Sequence, residues 1–218
     1  MSKVETHLDI AGPVGNIEAI MEMPTGAPLR GVALVAHPHP VGGGANTNKV
    51  VHTLAKTFLS LGYAALRPNF RGVGKTAGEH DEGVGETDDL LAALEDAHRR
   101  LDDPECRLPV ALAGFSFGAY CQTRLARRLR DAGRAAERLA LVGVAAGFIE
   151  GARVYATEAV PVDTLVIHGA ADTLVPLANV LTWAEPQNLP VVVIPGADHF
   201  FHRRLTLIRD IILRAWRK

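Results

Sequence analysis

The hydrophobic pattern of the chain alternates short apolar runs with longer amphipathic ones. Runs such as "GVALVAH" (31–37) are apolar at nearly every position, which is typical of a strand buried on both faces of a sheet. In the longer runs apolar residues recur every three or four positions, as at Val51, Leu54 and Phe58, which is typical of helices. The pattern predicts strands at 31–37, 63–69, 109–115, 138–146, 163–169 and 190–196. It predicts helices at 48–61, 87–101, 117–131, 177–185 and 201–216.

Near the start of the chain, the runs "VETHLDI" (4–10) and "NIEAIMEM" (16–23) flank "AGPVG" and predict an antiparallel hairpin. Beyond it, strands and helices alternate, which predicts a mostly parallel sheet. We therefore expect an α/β fold, a three-layer α/β/α sandwich, and the length of 218 residues favours a single domain over 1–218. Functional side chains are expected in the loops after the carboxyl ends of the strands.

The composition argues against several kinds of partner. The net charge is −1 and 22% of the residues are charged, so nothing indicates binding to nucleic acid or to an anionic membrane. No apolar run approaches the length of a membrane span. The opening segment lacks the apolar core of a signal peptide, so we expect a cytoplasmic location with Cys106 and Cys121 as free thiols. None of these features indicates an oligomeric state.

Two segments are similar to motifs of other chemistries. "NFRGVGKT" (69–76) is close to the phosphate-binding motif G-x-x-x-x-G-K-[ST], but Asn69 replaces its first glycine and no helix is predicted to begin at Lys75. His37 and His39 could bind a metal, but no spacing typical of zinc ligands is present. We therefore predict no nucleotide site, no metal site and no cofactor.

The segment "GFSFG" (114–118) lies between a predicted strand and a predicted helix, which is the setting of a nucleophile elbow. Gly114 and Gly118 would let strand and helix approach each other where a Cβ atom would clash. The turn would hold Ser116 in a strained conformation and expose its Oγ atom to a substrate. The alternative interpretation is a tight turn in which the serine has no chemical role.

A serine hydroxyl needs a base, and the base needs a carboxylate to orient it. His199 in "PGADHFF" follows the last predicted strand and is the favoured base; His202, expected inside the last helix, is the alternative. His168 is expected to be a packed or capping side chain. Asp172 follows the penultimate strand and is favoured as the orienting carboxylate over Asp198, because neighbouring side chains such as Asp198 and His199 rarely face each other.

An oxyanion hole needs two fixed hydrogen-bond donors. One candidate is the backbone N–H of Phe117, directly after the serine. The other is the backbone N–H of His39, because Pro38 and Pro40 on either side have none. The following glycines, 42–44, would let the backbone approach a substrate. The alternative for this loop is a rigid turn with a structural role only.

Five segments resemble the α/β-hydrolase superfamily, in the correct order and over nearly the whole chain: "HPHPVGGGANTNKVV", "RPNFRGVGKTAG", "GFSFGA", "HGAADTLVP" and "GADHFF". The sequence is most similar to small lidless bacterial hydrolases that carry an H-P-H-P loop. The resemblance implies a catalytic triad of Ser116, Asp172 and His199, with the His39 and Phe117 amides forming the oxyanion hole.

The resemblance also implies which residues support the site. His37 and the glycines at 114 and 118 would shape the loops, and Arg71 would brace the oxyanion loop more than take part in chemistry. Only about fifteen residues, 147–161, join the strand after the nucleophile helix to the next strand, which is too few for a lid domain. The site is therefore expected to be open.

These observations favour a serine hydrolase that acts through an acyl-enzyme on a small-molecule partner, a short-chain carboxylic ester. A thioesterase, or a small peptidase or amidase, would use the same triad. A non-catalytic interaction protein of the same fold is the rival from another class. Such proteins usually lack a member of the triad, whereas all three residue types are present here.

Overall fold

The computed structural model describes residues 5–26, 28–151 and 153–216. Its strands are β1 (Glu5–Gly12), β2 (Gly15–Glu22), β3 (Gly31–Ala36), β4 (Tyr63–Pro68), β5 (Val110–Phe115), β6 (Arg138–Val142), β7 (Gly147–Phe148), β8 (Val154–Tyr155), β9 (Leu165–Gly169) and β10 (Val191–Ile194). Its α-helices are α1 (Lys49–Ser60), α2 (Val84–Arg100), α3 (Phe117–Asp131), α4 (Leu177–Ala184) and α5 (Leu205–Trp216).

Eight strands form one mixed sheet in the order β1-β2-β4-β3-β5-β6-β9-β10. The hairpin β1–β2 is antiparallel and joins β4 in antiparallel register, while all pairs from β4 to β10 are parallel. Both the predicted mostly parallel sheet and the N-terminal hairpin are confirmed. The predicted first strand includes Val4, which lies outside the described residues.

Two apolar cores lie on the two faces of the sheet, and β3 contributes residues to both of them. Ala33 and Val35 pack with α1 and α5, whereas Val32 and Leu34 pack with α2 and α3. All six residues of β3 are buried, as its continuous apolar run predicts. Strands at the centre of the sheet are therefore fixed from both sides, and their carboxyl ends are rigid attachment points for loops. No helix in the described ranges is long and apolar enough to cross a membrane.

Two predicted helix starts are wrong, each for a local reason. Helix α2 begins at residue 84 rather than 87, because the Glu86 carboxylate accepts the backbone N–H of Gly83 at 2.8 Å and so caps an earlier turn. Helix α5 begins at 205 rather than 201, because Phe201 and Arg203 have φ angles of +52° and +58° that are incompatible with a helix. His202, expected inside this helix, therefore lies in the loop before it.

The strand predicted over 138–146 ends four residues early, at Val142. Gly143 has a φ of +54°, which turns the chain out of the sheet at the edge where the functional loops lie. Between β6 and β9 the described residues contain only a two-stranded antiparallel ribbon, β7–β8, which the sequence did not predict. The predicted absence of a lid domain is confirmed, but the connection is an ordered ribbon rather than a plain loop.

Candidate active site

The turn between β5 and α3 holds Ser116 in a strained conformation, with φ +56° and ψ −118°. For a residue with a side chain such a conformation costs about 1–3 kcal/mol, so the surroundings must enforce it. A Cβ atom at Gly114 would lie 2.5 Å from the Ala119 nitrogen, and one at Gly118 would collide with the His37 carbonyl. The two glycines therefore let β5, α3 and the end of β3 meet at one point.

Three side chains from different strand ends meet at this turn. The Ser116 Oγ lies 2.9 Å from His199 Nε2, and His199 Nδ1 lies 2.7 Å from Asp172 Oδ2. Because the carboxylate can only accept, Nδ1 carries the proton and Nε2 is free to accept the serine proton. All three residues are less than one-tenth exposed. This arrangement is compatible with a catalytic triad.

The Asp172 carboxylate is held in place on both oxygens. Its Oδ1 accepts the backbone N–H groups of Leu174 at 3.0 Å and Val175 at 2.8 Å, so its Oδ2 faces His199. His168 Nε2 lies 3.4 Å from the same Oδ2 and donates to the Val175 carbonyl at 3.0 Å. Burial lowers the pKa of His168, which favours its neutral form beside the carboxylate. His168 is thus a packed side chain, and it also touches the candidate triad.

The alternative base and carboxylate engage each other instead. His202 Nδ1 lies 2.6 Å from Asp198 Oδ2, and hydrogen bonds from His202 lower the pKa of that carboxyl. Both side chains are exposed. The geometry therefore brings His199 and Asp172 to the serine and leaves His202 and Asp198 as a separate surface pair.

His37 fixes the loop that follows β3. Its Nδ1 donates to the Pro38 carbonyl at 2.7 Å, and its Nε2 accepts the Phe70 N–H at 2.8 Å. These partners require the neutral ring, and burial lowers the pKa of His37 to about 4. The imidazole therefore ties this loop to the 69–78 loop in one defined geometry.

The backbone N–H groups of His39 and Phe117, both beside the serine, have no acceptor among the described residues. The His39 side chain accepts the Val41 N–H at 3.2 Å, and its carbonyl accepts two further amides of the same turn, so the loop is held by its own hydrogen bonds. Both residues line one cleft together with Ser116. Unpaired amides in a fixed loop are the donors that an oxyanion hole needs.

Among the described residues, Arg71 forms no hydrogen bond or ion pair with the His39 loop. Its guanidinium forms a bidentate pair with Asp89 on α2, at 2.8 and 2.9 Å, and a Cβ atom at Gly85 would collide with it. Arg71 thus holds the 69–78 loop against α2, and the link from that loop to the oxyanion loop is made by His37. In the near match to the phosphate motif, Asn69 accepts the backbone N–H of Asn46 at 2.9 Å, which is a structural role.

The cleft around Ser116, here called the Ser116 cleft, has a volume of about 290 Å³ and is open to solvent. Its walls include the predicted glycines 42–44 and several residues that sequence reasoning missed. These are apolar or aromatic side chains: Ile149, Tyr155, Leu174, Val175 and Phe200. Tyr155 belongs to the short strand β8, which has too few residues to show any hydrophobic period.

Comparison with known proteins agrees with this architecture. A family model described as an alpha/beta hydrolase domain matches residues 30–207. An uncharacterized protein of Rickettsia prowazekii (strain Madrid E) is 32% identical over 197 residues, which cover 87% of this chain and 79% of that protein.

Two solved structures are similar over almost their whole length. An α/β serine hydrolase without a lid from Xanthomonas campestris is 33% identical, with a TM-score of 0.86 and coverage of 100% of this chain and 95% of that one. An α/β serine hydrolase homologue from Coxiella burnetii is 36% identical, with a TM-score of 0.81 and coverage of 99% and 98%. The family predicted from the sequence is thereby confirmed, and this chain belongs to the α/β-hydrolase family.

Proposed function

We propose that this protein is a serine carboxylesterase for small or short-chain esters, built as one α/β-hydrolase domain. The observation that carries the proposal is the continuous contact from Ser116 Oγ through His199 to Asp172, at 2.9 and 2.7 Å. His39 and Phe117, whose backbone N–H groups have no acceptor among the described residues, line the same cleft. The similarity to serine hydrolases from Xanthomonas campestris and Coxiella burnetii supports the reaction class.

The first half of the reaction transfers the acyl group to the enzyme. Ser116 Oγ attacks the ester carbonyl carbon while His199 Nε2 takes its proton. The carbonyl oxygen becomes negative and accepts hydrogen bonds from the N–H groups of His39 and Phe117. The bond between the carbonyl carbon and the leaving oxygen then breaks, and His199 gives its proton to that oxygen.

The second half returns the enzyme to its starting state. A water molecule gives a proton to His199 and attacks the acyl-enzyme, and the carboxylic acid leaves as Ser116 regains its proton from His199. Asp172 stays ionised throughout and holds the imidazolium in the orientation set by the 2.7 Å contact. All the groups that this sequence needs come from the chain itself and from water.

The shape of the Ser116 cleft supports small acyl groups. Its volume of about 290 Å³ is small for a ligand site, and no lid domain extends its walls among the described residues. Its apolar walls suit a short hydrocarbon group. Thioesters and small amides would pass through the same steps, and no particular contact in the cleft favours them over esters.

An activity-based probe tests the proposal directly. A fluorophosphonate should label the native protein and fail to label Ser116→Ala, and hydrolysis of aryl esters should fall steeply from acetyl to octanoyl. Absence of both labelling and hydrolysis in the folded native protein would overturn the catalytic proposal. Labelling that persists in Ser116→Ala would overturn the assignment of the nucleophile. Equal rates for long and short chains would overturn the proposed substrate size.

A further inference from the structure

A second and larger groove continues from the Ser116 cleft. It has a volume of about 790 Å³ and shares Gly43, Asn48 and Phe200 with the cleft, so the two lie side by side. We call it the α1 groove, since it lies between the start of α1 and the segment that follows His199. It is too large to be explained by a short acyl group.

The position of the α1 groove indicates which part of the ester it would bind. In the proposed reaction His199 delivers a proton to the leaving oxygen, so the leaving group must lie within hydrogen-bond reach of His199 Nε2. One wall of the groove, from Phe200 to Leu205, directly follows His199 in the chain. The groove is therefore placed to receive the leaving group rather than the acyl group.

The charged side chains of the α1 groove are basic. Lys49 and Arg203 both line it, and no carboxylate among the described residues lies within 4 Å of either. His202 also lines it and is paired with Asp198. Among the described residues, no aspartate or glutamate lines the groove. Two exposed cations thus lie in the groove without a counterion from this part of the chain.

The rest of the lining is partly apolar, and the other end of the site has the opposite charge. Val50, Phe200 and Leu205 give the groove an apolar surface beside the cations' backbone positions in its lining. At the Ser116 cleft, Glu150, which lies between β7 and β8, is the only acidic residue that lines the wall among the described residues. A substrate with a negative leaving group would meet attraction in the groove, and one with a negative acyl group would meet repulsion from Glu150.

We propose that the α1 groove binds an anionic leaving group, an alcohol or thiol that carries a carboxylate or a phosphate beyond an apolar spacer. This inference rests on the proposed function and specifies its substrate class. The apolar spacer packs against Phe200, and the anion lies between Lys49 and Arg203. The preference is for charge rather than for the identity of the acid, because both cations are exposed point contacts.

Matched aryl acetates test the inference by turnover. para-Acetoxyphenylacetate and para-acetoxybenzylphosphonate are anionic, and para-acetoxyphenylacetamide is their neutral counterpart. We expect the anionic esters to be preferred roughly tenfold in kcat/KM at low salt, and the preference to fall as ionic strength rises. Comparison of the two anionic esters shows whether the groove distinguishes carboxylate from phosphonate.

Substitutions identify the residues that are responsible for the preference for anionic esters. The ratio of kcat/KM for anionic and neutral esters should fall about threefold in Lys49→Gln and about threefold in Arg203→Asn, and disappear in the double variant. Asparagine is chosen at 203 because it tolerates the left-handed backbone there. Arg107→Gln removes an equal charge at the amino-terminal edge of the sheet, next to β5, and should keep the native ratio. A ratio of one in the native protein, or a preference that survives the double variant, would overturn the inference.

A binding measurement separates this inference from the proposed function. The leaving group para-hydroxyphenylacetate should shift the NMR signals of Phe200 and Leu205 in inactive Ser116→Ala, and shift them more weakly once Lys49→Gln is added. Binding without any turnover in the native protein would overturn the proposed function and keep the groove. Turnover of the neutral ester without such binding would overturn the groove and keep the proposed function.

Discussion

The histidines of two histidine–aspartate pairs lie three residues apart after β10, although Asp172 of the first pair follows β9. The two pairs have almost the same contact distance. His199 and Asp172 are joined at 2.7 Å, and His202 and Asp198 at 2.6 Å. Their surroundings differ: the side chain of His199 is 6% exposed and that of His202 is 73% exposed.

The difference shows that a short histidine–aspartate distance does not by itself place the histidine where it could act as a base for the serine. His199 and Asp172 come from the ends of two neighbouring strands and meet a third strand end at the serine, so the sheet sets their distances. His202 and Asp198 are four residues apart in one loop, and among the described residues their side chains hydrogen-bond only with each other's residue. Exposed pairs of this kind contribute little to stability because water screens them.

The largest expected effect separates the two histidines. His199→Ala should lower kcat/KM for a short-chain aryl ester by at least about ten-thousandfold, because the serine loses its base. His202→Ala should change it by less than about threefold. Circular dichroism of both variants controls for folding. A large loss in His202→Ala with activity retained in His199→Ala would exchange the roles of the two residues.

The two aspartates give the next contrast. Asp172→Asn should lower kcat/KM by about a thousandfold or more, because the amide no longer holds His199 in the tautomer that accepts the serine proton. Asp198→Asn, which leaves the buried pair intact, should stay within about threefold of the native value. Steady-state kinetics of both variants on the same ester measure this contrast. Similar losses in kcat/KM would contradict it.

A third imidazole, that of the buried His37, extends the comparison to the dependence of stability on pH. The pKa of His37 is about 4 in the folded protein and about 6.5 when unfolded, so above pH 6.5 its contribution to stability is complete. As pH falls from 6.5 to 4, the unfolded chain binds a proton that the folded protein does not bind. The free energy of unfolding therefore falls by about 3 kcal/mol.

His37→Gln removes this titration. Urea unfolding from pH 7 to pH 4 should show that the native protein loses about 3 kcal/mol more than the variant does, although the variant is less stable at pH 7. Parallel curves for the two proteins would show that the folded His37 binds a proton as readily as the unfolded one.

The smallest expected effect concerns His168. His168→Gln should lower kcat/KM by about tenfold, because Asp172 loses a neighbour and the Val175 carbonyl loses its donor. His98 is a matched control: it is also buried and lies 2.7 Å from an aspartate, but at the far end of α2. His98→Gln should lower the melting temperature and leave kcat/KM close to native. Equal kinetic effects would show that His168 acts only through general stability.

Much of this site follows from the sequence because chain order and sheet topology determine which loops meet. A parallel sheet brings its strand ends to one edge, so Asp172 and His199 could be assigned from their positions alone. The glycines of "GFSFG" were informative for the same reason, since only a close strand–helix turn needs both of them.

Other features depend on contacts that no local pattern records. His37 was expected to shape its own loop, but its bond to Phe70 joins loops 33 residues apart. The residues 201–204 have a helical composition, and only their positive φ angles keep His202 out of α5. The wall formed by Tyr155 comes from a two-residue strand that carries no periodic signal.

The strained turn at Ser116 implies a compromise between the stability of the fold and the proposed reaction of the serine. A glycine at this position would adopt φ +56° without steric penalty, so the serine that we propose as the nucleophile is not the residue that this backbone conformation favours most. Random substitutions selected for heat resistance alone should therefore tend to replace Ser116 with glycine. Its retention would be a sign that selection acts on the reaction as well as on the fold.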